Sequence, residues 1–324
     1  MLLEVWNDIL RDTCGFYRTV PQEKRPVVTG HFLHRQVFGL DAADFSGDIS
    51  QIYRTRQDVK RDESENLYLI VPIIGDIKID QDGERAIVRP GQLYLHDSRY
   101  PVNMLFNDAR FHGVSVHLPR ALLLAEAEFP LYTGLCGRHA AAKERLLHEH
   151  VVGSLTPLRA NSRSDVAYLL DLARTAFAQV EEPMAPYFRR ASQSSRYSYA
   201  IRDMERHLTH PDLSLAWLAQ RIGISPRQLE RDFQAHGDGF AACLREKRLK
   251  LSCALARLAY RTGQEVRVID LAFAAGFRDL SNFNRAFRHR FNQTPKEYLR
   301  RLALAPAPQF PISLAGQGVA QQAP

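Results

Sequence analysis

No apolar run in the sequence approaches the ~18 residues of a membrane-spanning helix. The longest, Leu67 to Ile74 and Ala121 to Ala125, are too short, so no membrane partner is expected. The opening residues MLLEVWNDIL lack the basic-then-apolar layout of a secretory signal, which makes a cytoplasmic location the expectation. Cysteine is scarce. Cys14, Cys136, Cys243 and Cys253 are scattered, and the closest two would stand about 15 Å apart on a shared helix, beyond the reach of a disulfide or a common metal. There is no CxxC, no glycine-rich phosphate loop and no nucleophile elbow. Each absence removes a class of chemistry, so no catalytic residue, metal or cofactor is expected, short of a site dispersed through the chain.

What the chain does have is charge, unevenly placed. The net charge is +7 over 324 residues, a length that allows two or three domains with real cores. Arg196 to Arg301 holds 20 Lys and Arg against 11 Asp and Glu, a net of +9, which leaves the remainder at −2. Segregation of this kind is the electrostatic footprint of a domain that neutralises phosphates, joined to one that does not.

Within the basic part, Arg267 to Arg301 carries a recognisable pattern. Val268, Leu271, Ala272 and Ala275 follow the i, i+3, i+4, i+7 rhythm of one buried helix face. Gly276 stops that helix, Asp279 can cap the next, and the second helix buries Phe283 and Phe287 while Ser281, Asn284, Arg285 and Arg288 point outward. A short helix, a glycine turn and a second helix with a polar, cationic face match a helix-turn-helix. The pattern occurs twice. Leu215, Leu218, Ala219 and Ile222 repeat the buried face, Gly223 the stop, and Leu229 and Phe233 the buried pair. Ser225, Pro226 and Gln228 make a strong helix start and a capping box, and Arg227, Glu230, Arg231 and Gln234 become the outward set. Between the copies, Asp238 to Arg261 keeps helical periodicity through Phe240, Leu244, Leu251, Leu255 and Leu258, a rod near 30 Å at ~1.5 Å per residue. That is close to the ~34 Å between successive major-groove faces. Its Arg245, Lys247, Arg248 and Lys250 suit either phosphate contact or a solvated surface.

The N-terminal half reads as β structure. Met1 to about Phe45 has no clear pattern, after which short runs alternate with Gly, Asp, Asn and Pro. Strands are expected at Ile49 to Thr55, Leu67 to Ile74, Ile77 to Ile79, Arg85 to Arg89, Gln92 to His96, Val102 to Phe106 and His112 to Leu118, with a hairpin turn at Gln81 to Glu84. This predicts a small barrel or sandwich enclosing a pocket. Helices are expected near Leu122 to Leu124, His139 to Val152 and Ser164 to Gln179. In the last, Val166, Leu169, Leu170, Ala173 and Phe177 form a stripe that serves either packing on the barrel or a homodimer seam. Glu181 to Ser195 reads as a linker, and Ala305 to Pro324, nearly uncharged and rich in Ala, Pro, Gln and Gly, as disordered.

The two motifs resemble the AraC/XylS family of bacterial transcription regulators. The resemblance rests on Ala272 to Phe277, Asp279 to Phe283, Arg285 to Arg288 and Phe291 to Pro295, with Leu218-Ala219 through Ser225 upstream. Asn292 stands where the family usually has glycine, and Ser252 where it usually has alanine. Arg89 to Gln92 and Asp97 to Pro101 resemble the cupin-like regulatory domain of such proteins. The implied fold is α+β multidomain, an N-terminal cupin-like β-barrel or sandwich with flanking helices and a C-terminal all-α double helix-turn-helix domain. The expected boundaries are 1–180 for the regulatory domain, 181–195 for the linker, 196–302 for the DNA-binding domain and 303–324 for the tail. Enzymatic cupins use a close His-x-His pair, absent here, so His96, His112 and His117 read as hydrogen-bonded or ligand-contacting residues.

The expected function is a sequence-specific DNA-binding regulator, an activator by resemblance, with promoter DNA, a small-molecule effector and RNA polymerase as partners. Arg285 is the first choice for base readout, with Arg231 its counterpart. Ser281, Asn284, Arg227, Glu230 and Gln234 support them, and Arg288 grips phosphate. Arg54, Tyr68, Tyr94, His96 and Asp97 are the ligand-binding candidates, by their place on or beside predicted strands. Two alternatives stay open, control by a protein partner and a cupin-type enzyme with a DNA-binding tail.

Overall fold

The computed structural model describes the chain except residues 24–25, 63–64, 82–83, 109, 126, 128–130, 132, 137–140, 156–162, 179–191, 238 and 305–324. The first 45 residues, patternless in sequence, form a helix α1 (Leu3–Cys14) and three strands, β1 (Arg18–Pro21), β2 (Gly30–Val37) and β3 (Leu40–Gly47). The signal in α1 is Trp6, Leu10 and Cys14, spaced by four and all buried, with the Trp6 indole donating to Thr19 Oγ1 at 2.9 Å. There follow β4 (Ile49–Arg54), the short helix α2 (Arg56–Arg61), β5 (Asn66–Ile74), β6 (Ile77–Gln81), β7 (Glu84–Val88), β8 (Tyr94–Asp97), β9 (Val102–Phe106) and β10 (Phe111–Pro119). Gln81 pairs with Glu84 across the expected hairpin, whose tip residues lie outside the described set.

The strands form two antiparallel sheets, one ordered β1-β4-β9-β6-β7 and the other β11-β8-β5-β10-β3-β2, where β11 is Gly134–Leu135. Their inner faces share a core of Phe32, Phe45, Ile49, Phe106 and Phe111, which Trp6 of α1 joins. The outer face of the six-stranded sheet is covered in turn by α3 (Arg120–Leu124), α4 (Ala141–Ser154) and α5 (Arg163–Ala176). A strand covered on both faces needs no polar alternation. Leu67 to Val71 in β5 are accordingly all buried, Tyr68 and Ile70 between the sheets and Leu67, Leu69 and Val71 toward the helices.

The stripe Val166, Leu169, Leu170, Ala173 and Phe177 is buried within its own chain, so packing on the sheet is its use and the homodimer seam is corrected. Residues 181–191 of the expected linker are not described, but its last residues are helical. Ser192 caps α6 (Gln193–Arg206) by accepting from the Ser195 amide at 3.1 Å. The rest is α7 (Leu215–Ile222), α8 (Pro226–Gln234), α9 (Phe240–Arg261), α10 (Val268–Ala274), α11 (Leu280–Phe291) and α12 (Pro295–Leu304). The last helix takes in Ala303 and Leu304, which corrects the tail boundary; Ala305 to Pro324 lie outside the described residues.

Helix α9 is also the surface on which the two halves meet. Helix α3 packs on α9 and α6, and a chain of ions runs along the seam. Glu205 of α6, nearly inaccessible, receives Lys247 Nζ of α9 at 2.5 Å and Arg99 Nη1 at 3.2 Å, with Arg120 Nη1 at 3.7 Å. Glu65 takes Lys250 at 2.7 Å, and at the far end Arg261 reaches Asp41 at 2.6 Å. Charges removed from water must be paired or neutralised. Burial works against ionising Glu65, but Lys247 and Lys250 outweigh it and bring its pKa down to about 2.

Candidate nucleic-acid interface

Helices α7 and α8 form one helix-turn-helix and α10 and α11 the other. The local chemistry explains both turns. Gly223 and Gly276 take left-handed conformations, φ 77° and 84°, that a side chain would strain. At Gly276 a Cβ would also stand 2.4 Å from the Leu208 carbonyl oxygen, so the turn is closed sterically as well. Asp279 caps α11 by accepting from the Ser281 and Asn282 amides at 3.0 and 2.9 Å. Ser225 caps α8 through the Gln228 amide at 3.2 Å, but the capping box is only half formed, because Gln228 Nε2 donates instead to Asp232 at 2.9 Å. Asn292 ends α11 at φ 55°, the left-handed position its residue type tolerates.

Each reading helix is held from behind. Asp232 on the buried side of α8 takes a two-pronged Arg196 at 2.7 and 3.0 Å. Burial favours its neutral form, yet the bonds from Arg196 and Gln228 hold its pKa below the usual carboxylate value. Asp203 of α6 grips α7 through Arg221 at 2.9 and 3.2 Å. Burial again opposes ionisation and is outweighed, here by His207 and Arg221, which leave Asp203 at about 2. In the second unit, Arg290 of α11 pairs with Glu246 of α9 at 3.0 Å, and Arg257 of α9 donates to Tyr298 of α12 at 3.0 Å. These bonds brace the first unit on α6 and the second on α9.

Seven of the eight residues expected to face DNA are exposed with both halves of the chain in place: Arg227, Arg231, Gln234, Ser281, Asn284, Arg285 and Arg288. Glu230 is half-buried, with Gln234 Nε2 3.3 Å from its Oε1. A groove of about 710 Å³ separates α8 from α11, floored by Arg245, Glu246 and Leu249 of α9 and edged by His236, Asn282 and Arg285. The two uses considered for the α9 cations are both wrong for three of the four. Lys247 and Lys250 bind carboxylates at the seam, Arg248 donates to the Leu208 carbonyl at 2.9 Å, and Arg245 alone is exposed, facing the groove. Their partners lie 40 or more residues away in the chain, so nothing local signals these roles.

The five ligand candidates are all buried, but the structure does not gather them around a ligand-sized space. Between the sheets is an apolar cavity of about 40 Å³, which Tyr68 and His96 line and Arg54, Tyr94 and Asp97 do not. That is far below the ~300–1,000 Å³ of a typical ligand site. Tyr17 and His96 Nε2 share a hydrogen bond of 2.6 Å, Tyr68 donates to the Cys14 carbonyl at 2.6 Å, Arg54 pairs with Asp62 at 2.8 Å, and Asp97 is held by Arg120 and Arg99. His96 and His117 are kept neutral by burial, which lowers each to about 3. A larger cleft of about 450 Å³ opens between the halves, lined by Asp41, Glu65, Lys250, Arg257, Arg261 and Tyr298.

Comparison with known proteins agrees with this geometry. Residues 218–301 match the model of a helix-turn-helix domain family. The chain is 25% identical to the transcriptional activator NphR of a Rhodococcus species over 279 residues, 82% of this chain and 78% of that one. It is 31% identical to the transcriptional activator RhrA of Rhizobium meliloti over 137 residues, 42% of this chain and 40% of that protein. Among solved structures, the AraC-like transcriptional activator CuxR aligns over 76% of this chain and 89% of its own, at 16% identity and a TM-score of 0.47.

Proposed function

We propose that the chain is a DNA-binding transcription regulator of the AraC/XylS family and that it activates transcription in the cytoplasm by reading two adjacent major-groove segments of a promoter. The observation that carries the reading is the pair of exposed polar helix faces, α8 and α11, braced on a single helix of 22 residues. At ~1.5 Å per residue that helix is roughly 33 Å long, one turn of DNA. Arg285 and Arg231 read bases, with Ser281, Asn284, Arg227, Glu230 and Gln234 around them. Arg288 and Arg245, the latter in the groove between the reading helices, meet phosphates.

Control comes through the N-terminal half and its contact with α9. A small-molecule effector fits the interdomain cleft better than the sheet interior, because typical ligand sites are ~300–1,000 Å³ and the inner cavity is far smaller. An effector in the cleft bears directly on Lys250, Arg257 and Arg261 of the rod that spaces the two readers. Arg54, Tyr94 and Asp97 then act as structural ions and packing groups.

The test is a footprint of the purified protein on the DNA upstream of its own coding region, with and without candidate metabolites. Two protected patches about one helical turn apart support the reading. Protection without sequence preference overturns it. A metabolite that raises the melting temperature by mass action identifies the effector, whereas a co-purifying protein that alters the footprint favours control by a partner, and recruitment of RNA polymerase is read by in vitro transcription.

A further inference from the structure

We propose that His31, Asp44 and His112 form a binding site for a divalent first-row transition metal on the outer face of the six-stranded sheet. The three residues come from three neighbouring strands, β2, β3 and β10. Their register places them together. His31 and His112 both pair with Ser46, one from each side, and Asp44 lies two residues along from Ser46 on the same face. Residues that pair across a ladder point to the same side of a sheet, so all three side chains project together from a rigid scaffold.

The donor atoms already have the spacing a metal needs. Asp44 Oδ1 lies 3.0 Å from His112 Nε2 and 3.4 Å from His31 Nε2, and all three donors fall within 4.8 Å of one another. A tetrahedral ion with bonds of ~2.0–2.1 Å separates its ligands by roughly 3.3 Å. Asp44 Oδ2 is occupied by Arg35 Nε at 2.6 Å, which orients the carboxylate and leaves Oδ1 to the imidazoles, as outer-shell partners of metal ligands do. The Asp44 side chain is 7% exposed, that of His112 27% and that of His31 45%, so the site has a buried root, an open mouth and free coordination positions.

Two imidazoles and one carboxylate with open positions suit zinc, iron(II) and their neighbours, and no thiolate is among the donors. The ligands are 13 and 68 residues apart in sequence, which is why no spacing rule finds them.

The experiment uses the full chain, stripped with chelator and titrated calorimetrically with Zn²⁺ alone. One equivalent is expected to bind. His31→Ala, at a half-exposed position that leaves the core untouched, and His112→Ala should each weaken it by tenfold or more, and Arg35→Gln by about tenfold through the lost orienting bond. Cobalt(II) should give visible bands without thiolate charge transfer. Absence of saturable uptake overturns the proposal, as does unchanged affinity in both histidine variants or a thiolate signature, either of which places the metal elsewhere on the chain.

Discussion

Lys250 of the linking helix sets its ammonium nitrogen 2.7 Å from Glu65, a residue 185 positions away at the foot of the central β5 strand. With Lys247 beside it, bonded to Glu205 at 2.5 Å and Glu65 at 3.4 Å, this contact makes the rod between the two helix-turn-helix units the docking surface of the N-terminal half. Four expectations follow from the arrangement.

Breaking the seam at its buried end should cost far more than at its wet end. Glu205 faces Lys247, Arg99 and Arg120 and is almost inaccessible, so Glu205→Gln leaves three cations short of an anion and should destabilise by about 3–5 kcal/mol. Glu65 is 26% exposed on its side chain, so solvent screens its pairs with Lys247 and Lys250 and Glu65→Gln should cost less than Glu205→Gln. Urea unfolding of the two variants measures the contrast; equal losses would show that the seam is not the source.

Acid should weaken the protein in two stages. His96 and His117 have folded pKa values of about 3, brought down by burial from an ordinary 6.5, so the unfolded chain binds more protons between those values. Stability is complete above pH ~6.5 and falls as pH drops below it, by up to about 1.4 kcal/mol per pH unit for each histidine. Glu65 and Asp41 are depressed to about 2, and the stability they contribute is present above their unfolded values and lost only as pH falls from ~4.5 toward 2. Melting curves from pH 7.5 to 4.5 should therefore report the histidines, and His117→Gln should flatten the slope.

Arg285 and Arg245 should separate base reading from backbone grip. Arg285→Ala should cost about 1–3 kcal/mol at the cognate site and relax preference at one base position. Arg245→Ala should weaken all sequences alike and reduce the salt slope by about 1. Quantitative footprinting over a salt series makes both measurements, and uniform weakening by Arg285→Ala would move it to the phosphate contacts.

The two left-handed positions of the second unit should respond oppositely to substitution. Asn292→Gly keeps the φ of 55° accessible and should be near neutral, whereas Asn292→Ala should lose about 1 kcal/mol. Gly276→Ala combines a φ of 84° with a 2.4 Å approach to the Leu208 carbonyl oxygen, so it should destabilise by more than Asn292→Ala. Thermal melts order the three variants, and an equal loss in Asn292→Gly would refute the conformational account.

The paired helix-turn-helix units were legible because everything that defines them is local. Leu229 with Phe233 and Phe283 with Phe287 lie four apart, Ser225 and Asp279 bond amides two or three residues on, and Gly223 and Gly276 end helices by their own backbone freedom. Strands from Ile49 onward were legible for the same reason, as short β-rich runs between turn residues. Strand β3 was not. Its sequence LDAADFSG does not alternate, because Asp44 is buried on the helix-covered side and held there by Arg35 and two histidines from neighbouring strands. The ligand candidates are all buried, Asp97 on the helix-covered face beside its pair Leu67, and whether buried residues enclose space or fill it depends on how closely two sheets approach.

Sequence alone therefore determined the duplicated reader, its capped helices and the rod that spaces them, since helical period, capping and left-handed turns act over a few residues. Only the tertiary structure decided that the rod's lysines face carboxylates and not phosphates, that the stripe on α5 is spent on its own sheet, and that His31, Asp44 and His112 converge. Those outcomes depend on strand register and on how the two halves dock, and both are set by packing between residues far apart in the chain.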